Sequence, residues 1–254
     1  MPADVFSQTG FRCKLEWGWR GAREAAARGD ILVVVDTLRF SSAVVTAVQQ
    51  GGLIYPCASS EDHAALARSL GAEAAATATV AGRFSLSPLT YLDMGPGTRV
   101  VLPSPNGATC SRYAAATPHL FVGALLNAGA VAAAVAAVLD ATDLAVTVLA
   151  CGERWQTPSE DGELRFALED YLGAGAILSE LPHEKSPEAL ACAGAFRQRR
   201  SDLAAILWEC GSGRELQAKG HGEDVRHAAR WNLYEAVPVM REGWLRQRGA
   251  SAAN

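Results

Sequence analysis

The stretch Ile31-Leu32-Val33-Val34-Val35-Asp36-Thr37-Leu38-Arg39-Phe40-Ser41-Ser42 constrains this chain more than any other. Five apolar residues run without a break and stop at an acid. A run so short and so rich in β-branched residues predicts a strand buried on both faces. In open α/β sheets, ligands bind at the carboxyl ends of such strands, so Asp36 and Arg39 sit where chemistry usually happens. A carboxylate there can hold a cation or attack phosphorus, and a guanidinium fork matches an oxyanion. The plainer alternative makes Asp36 the cap of the next helix and leaves Arg39 solvated.

Beyond this run, short apolar stretches alternate with alanine-rich amphipathic ones. Strands are predicted near 31–35, 53–56, 99–103, 120–123 and 144–150. Helices are predicted near 20–28, 41–50, 60–70, 108–116, 128–139, 163–180, 187–198 and 201–210. This alternation implies βαβ units and an α/β fold: a three-layer α/β/α arrangement around a mostly parallel or mixed sheet. The expected organisation is one domain over 1–254, with two α/β subdomains dividing near 125–145 as the alternative. Segment 74–80 is ambiguous, because its alanines suit a helix and its threonines a strand. Residues 152–163 follow an apolar strand and are rich in charge and turn formers, which reads as a long functional loop.

Composition narrows the function. With 49% hydrophobic and 20% charged residues, the chain has an ordinary globular balance. A net charge of −4 argues against a general nucleic-acid or anionic-membrane binder. The alanine-rich run 124–139 is too short and too weakly apolar to span a bilayer. No basic start followed by an apolar block reads as a secretory signal. The six cysteines form no C-x-x-C pair and sit beside no spaced histidine, so zinc-ligand spacing is absent. Their scatter suits reduced thiols and a cytoplasmic protein.

Four further constellations carry chemical content. Val100–Pro103 leads into Ser104-Pro105-Asn106-Gly107, where an Asn-Gly turn and the N–H groups of a following helix could cradle a phosphate. A plain turn is the competing reading. Val148–Cys151 runs into Gly152-Glu153-Arg154, a second strand end carrying an acid and an arginine. Glu169-Asp170 lies within an apolar helical pattern, which is costly if both acids are buried unless a divalent cation neutralises them. The small residues Gly173–Ala176 would let that helix pack closely. Gly222-Glu223-Asp224-Val225 precedes a helix and can be read as its N-cap. The five histidines show neither triad nor ligand spacing, and no Gly-Lys-Ser/Thr marks a Walker loop.

Taken in order, these residues resemble the motifs of the 2-phosphosulfolactate phosphatase (ComB) family. Asp36–Ser42 resembles its D-V-L-R-A-T/S-T motif, Pro105-Asn106-Gly107 its N-G-T turn, and Asn127-Ala128 its N-A pair. Ala150-Cys151-Gly152 is similar to its C-A-G segment. Ala167–Asp170 with Gly173–Ile177 is similar to its L-E-D…A-G-A-I helix. Glu223-Asp224-Val225 with Val237-Pro238 resembles its D-V…V-P segment. The matches keep their order from about residue 31 to 239. The resemblance implies Mg²⁺-dependent hydrolysis of a small anionic phosphomonoester, 2-phosphosulfolactate, on the way to coenzyme M. Asp36, Arg39, Glu169 and Asp170 are the expected catalytic residues, with Asp36, Glu169 and Asp170 as ligands for Mg²⁺. Ser41, Arg83, Asn106, Gly107, Asn127 and Arg154 are expected to bind substrate. A homodimer is left open.

The family's G-E-R…G-F-D-x-G-N-S-P region stands here as Ala81-Gly82-Arg83-Phe84-Ser85-Leu86-Ser87-Pro88, without the Glu, the Asp and the Gly-Asn. That departure keeps two alternatives in view, a phosphatase for another phosphorylated acid and a non-catalytic binder of small anions. Other hydrolase readings fail on residues. Haloacid-dehalogenase phosphatases need a second acid where Leu38 stands. Isochorismatase-like hydrolases need a lysine and a later nucleophilic cysteine, and no lysine lies between 14 and 185, which removes that reading if Cys151 is the nucleophile.

Overall fold

The run Ile31–Val35 forms a strand buried along its whole length, and its side chains alternate between two cores. Ile31, Val33 and Val35 face one layer of helices, while Leu32 and Val34 face the other. This two-sided burial is what an unbroken apolar strand requires. The computed structural model describes residues 5–159 and 162–249.

Among the described residues the strands are β1 (Cys13–Trp17), β2 (Ile31–Val35), β3 (Leu53–Ala58), β4 (Glu73–Ala74), β5 (Arg99–Ser104), β6 (Leu120–Gly123), β7 (Val146–Ala150), β8 (Glu153–Ser159), β9 (Gly162–Arg165), β10 (Pro238–Arg241) and β11 (Trp244–Gln247). The helices are α1 (Gly18–Arg28), α2 (Phe40–Gln49), α3 (His63–Leu70), α4 (Gly107–Tyr113), α5 (Ala128–Ala141), α6 (Leu168–Glu180), α7 (Pro187–Arg199), α8 (Leu203–Glu209), α9 (Gly211–Ala218) and α10 (Gly222–Ala228). Nine strands make one mixed sheet in the order β1-β7-β2-β6-β10-β11-β3-β5-β4. Each predicted strand and helix is present with small shifts at its ends, except that the helix expected over 163–180 begins only at Leu168, the residues through Arg165 being strand.

The sheet consists of two parallel blocks joined by the antiparallel β10–β11 hairpin. Each block meets that hairpin through a single residue pair, Phe121 with Val239 and Ile54 with Leu245. Helices α5, α6 and α7 cover one face. On the other face Phe40, Val44, Val45 and Val48 of α2 share a core with Val34 and Val122 from one block and Ile54, Val100 and Leu102 from the other. The sheet thus wraps around α2, which brings together strand ends that are distant in the strand order.

Three readings are corrected. Residues 152–163 are not a loop: Glu153–Ser159 and Gly162–Arg165 pair as an antiparallel hairpin, with 160 and 161 outside the described residues. Segment 74–80 contributes only the end of β4, and Glu223-Asp224 belong to the first turn of α10 rather than capping it. Among the described residues, no helix is long and apolar enough to cross a membrane.

Candidate active site

The carboxyl ends of β2, β5 and β7 converge, and each delivers one predicted polar residue. Asp36 follows β2, Asn106 follows β5, and Glu153 stands three residues beyond β7, at the start of β8. Asn106 Nδ2 donates a 3.2 Å hydrogen bond to Glu153 Oε2, so the three strand ends share one site.

Asp36 is buried and held from three sides. Its Oδ1 accepts the Phe40 amide at 3.2 Å, and its Oδ2 accepts the Gly107 amide at 2.8 Å and the Ser104 hydroxyl at 3.4 Å. Burial pushes its carboxyl up to about 6 despite those bonds, with the charge of Glu169 adding to the rise. Glu153 rises to about 7, chiefly through burial and then through Asp36 and Glu169, while Asn106 works the other way. Asp170 rises too, from burial first and from the same acids next.

Asp36, Glu153, Glu169 and Asp170 therefore form one cluster of mutually repelling acids. Among the described residues none of them forms an ion pair with a lysine or arginine. Buried charge without a partner is expensive, so the donor set suits a cation. The acids are not equivalent as ligands. Both oxygens of Asp170 are spent on backbone, accepting the Thr37 amide at 2.7 Å and the Gly152 amide at 2.9 Å. This staples the turn after β2 to the turn after β7. Glu169 is almost fully buried, yet among the described residues its carboxylate meets only the Cys210 thiol, 3.4 Å from Oε2. Among the described residues no three His, Cys, Asp or Glu side chains close around a single point. An ion that keeps several waters and needs one or two carboxylates fits Glu169 first and then Asp36, whose Oδ1 is held only by the longer 3.2 Å bond from Phe40.

Helix α6 can carry two buried acids because its small residues let it approach the sheet. A Cβ on Gly173 would lie 2.9 Å from Val35 Cγ1 and closer still to the Thr37 hydroxyl. The acids consequently arrive at the strand ends rather than in solvent.

The other predicted residues divide. Arg39 reaches α10, where its Nη1 donates a 2.5 Å bond to Asp224 Oδ2. Ser41 accepts the Asp36 amide at 2.9 Å and donates to the Val34 carbonyl, so its hydroxyl shapes the turn after β2. Asn127 is fully buried and spends its amide on Ala124, Ala236 and Val122, tying β6 to the segment before β10. Arg154 pairs with Glu163 across the hairpin and lies over the Trp19 ring. Arg83 donates to the Asp93 carbonyl at 3.0 Å and folds onto its own loop. The Gly107 amide, expected to face a phosphate, is instead committed to Asp36.

The sequence reading did not assign Ser87, Ser104, Thr37 or Cys210 to the site, and it left Glu153 without a role. Glu153 had a signal, an acid just past an apolar strand. The hydroxyls had none, because serine and threonine at turns are common for local reasons.

The sequence model for 2-phosphosulpholactate phosphatases matches residues 21–243. A relative from Carboxydothermus hydrogenoformans is 30% identical over 229 residues, which cover 87% of this chain and 89% of the relative. One from Symbiobacterium thermophilum is 28% identical over 236 residues, covering 87% and 95%. One from Synechocystis is 30% identical over 224 residues, covering 82% and 88%. All three are named probable 2-phosphosulfolactate phosphatase.

Proposed function

The chain belongs to the 2-phosphosulpholactate phosphatase family, and from that premise we propose that it hydrolyses the phosphomonoester of a small anionic acid, 2-phosphosulfolactate, to sulfolactate and phosphate with Mg²⁺ as cofactor. The observation that carries this reading is the cluster of the buried Asp36, Glu169 and Asp170 with the half-buried Glu153 at converging strand ends, none of them ion-paired to a lysine or arginine among the described residues. Asp36 and Glu169 would hold the ion. When bound, Mg²⁺ supplies positive charge that offsets these carboxylates and the phosphoryl oxygens.

The chain's own groups supply the rest. Arg39 Nη1 is taken by Asp224, which leaves the Nε and Nη2 edge to fork two phosphate oxygens. Asp36 presents a carboxylate fixed by Gly107, Phe40 and Ser104. Glu153, raised to about 7, is partly protonated near neutral pH and is aimed by Asn106, which suits it to protonate the leaving alkoxide.

Phosphate release from a panel of phosphorylated small acids, with and without Mg²⁺, tests the reading. Mg²⁺-dependent turnover highest on 2-phosphosulfolactate is expected. Binding of these acids without turnover would support a non-catalytic anion binder instead.

A further inference from the structure

Asp224, in the first turn of α10, meets Arg39 at the start of α2 and is almost fully buried. Its neighbour Glu223 points to solvent and pairs with Arg226 at 3.1 Å, so the turn of α10 selects which acid goes inside. Inside, both carboxylate oxygens of Asp224 are engaged. Oδ2 accepts Arg39 Nη1 at 2.5 Å, and Oδ1 accepts the Ser87 hydroxyl at 2.5 Å. His221 Nδ1 stands 3.6 Å from Oδ2 at the rim.

Ser87 is itself fixed. Its amide donates to Ser85 Oγ at 3.1 Å, and its carbonyl accepts the Thr90 hydroxyl at 2.8 Å. The single turn that follows, Pro88–Tyr91, is anchored where Tyr91 stacks on Phe84 with ring centres 5.1 Å apart. Helix α10 does not need Asp224 to dock. Val225 and Ala228 are buried in the core, and His227 Nε2 meets Thr46 Oγ1 of α2 at 3.2 Å. A buried ion pair contributes little net stability against its desolvation cost, so what this one supplies is orientation.

We propose that Asp224, braced by Ser87, is a positioning residue that aims the Arg39 guanidinium at the substrate phosphate. The proposal rests on the phosphatase reading above. It makes the altered 81–88 segment a working part of the site through Ser87, although Arg83 beside it is turned away.

A double-mutant cycle tests it, with kcat and KM measured on 2-phosphosulfolactate and thermal unfolding followed in parallel. Asp224→Asn should lower kcat/KM about a hundredfold, the scale of a misplaced binding group. In an Arg39→Ala background the same change should alter kcat/KM less than about threefold, because the group it aims is gone. Ser87→Ala keeps the ion pair and should cause a smaller loss at near wild-type Tm, which carries the test if Asp224→Asn does not fold. Losses that simply add in the double variant would overturn the proposal. So would Asp224→Asn or Ser87→Ala enzymes that melt earlier but turn over normally. A wild-type chain that releases no phosphate from any acid in the panel would overturn the phosphatase reading, and the positioning role with it.

Discussion

Gly107 donates its amide proton to Asp36 Oδ2 across 2.8 Å, although the two residues are 71 positions apart. Four strands separate β2 from β5 in the sheet order. The bond exists because the sheet wraps around α2 and its hairpin hinge returns β5 to the end of β2. One backbone N–H thereby fixes the carboxylate on which the proposed chemistry depends.

Gly107→Ala should damage both fold and activity. A Cβ there would press into the Phe40 ring and lie 2.8 Å from Asp36 Oδ2. Overpacking of this kind costs about 1–3 kcal/mol. The expected result is a Tm lower by roughly 2–4 °C per kcal/mol, with reduced turnover in the folded fraction. An alanine variant with wild-type Tm and turnover would show that the two groups do not need this contact.

Asp36→Asn should abolish turnover by several orders of magnitude and still fold. The amide removes the anion needed either to hold the cation or to attack phosphorus. Its NH₂ would face one of the two backbone donors, at a cost of about 1–3 kcal/mol. Losing a buried charge works in the opposite direction. Phosphate release and thermal unfolding measured together check both halves.

Residues announce themselves in sequence when local physics forces a pattern. Ile31–Val35 could be buried on both faces only as an interior strand, and Asp36 had to follow at its end. The strand Cys13–Trp17 was missed despite a sign, since Cys-Lys-Leu-Glu-Trp alternates with a period of two over only five residues and would turn Lys14 and Glu16 to solvent. Lys14 is nevertheless buried, since Asp30 meets it at 3.3 Å from another part of the chain. The hairpin of β8 and β9 was missed for the opposite reason: it leaves Trp155 and Leu164 exposed, so no period of two marks an inner face. At the site, the acids were legible and their division of labour was not. Asp170 differs from Glu169 only because Thr37 and Gly152 reach it, and both arrive through tertiary packing.

In the absence of divalent cations, the fold should lose stability as pH rises. Asp36 moves from an ordinary 3.8 to about 6, and Glu153 from 4.5 to about 7. Both folded values lie above the unfolded ones, so the folded state binds more protons between about pH 4 and 7. The stabilisation from these groups is complete below that window and is lost through it. Tm in chelator should therefore fall between about pH 4 and 7, and Glu153→Gln should flatten the slope. Saturating Mg²⁺ should raise Tm most at the alkaline end. A Tm that climbs over the same range would contradict the burial of these acids.

The last prediction separates the two acids of α6. Activity should vanish in excess EDTA and return with Mg²⁺. Glu169→Gln should still fold, since among the described residues its carboxylate has only a thiol for a partner, but half-saturation should need roughly ten- to a hundredfold more Mg²⁺. Asp170→Asn should do the reverse. One of its two backbone donors would lose its acceptor, at about 1–3 kcal/mol, while Mg²⁺ half-saturation in the folded enzyme stays close to wild type. Titrating Mg²⁺ against turnover for each variant, beside its melting curve, resolves ligand from staple. Full activity of the wild type in excess EDTA would remove the cation from the account, and the three buried acids would then need another source of positive charge.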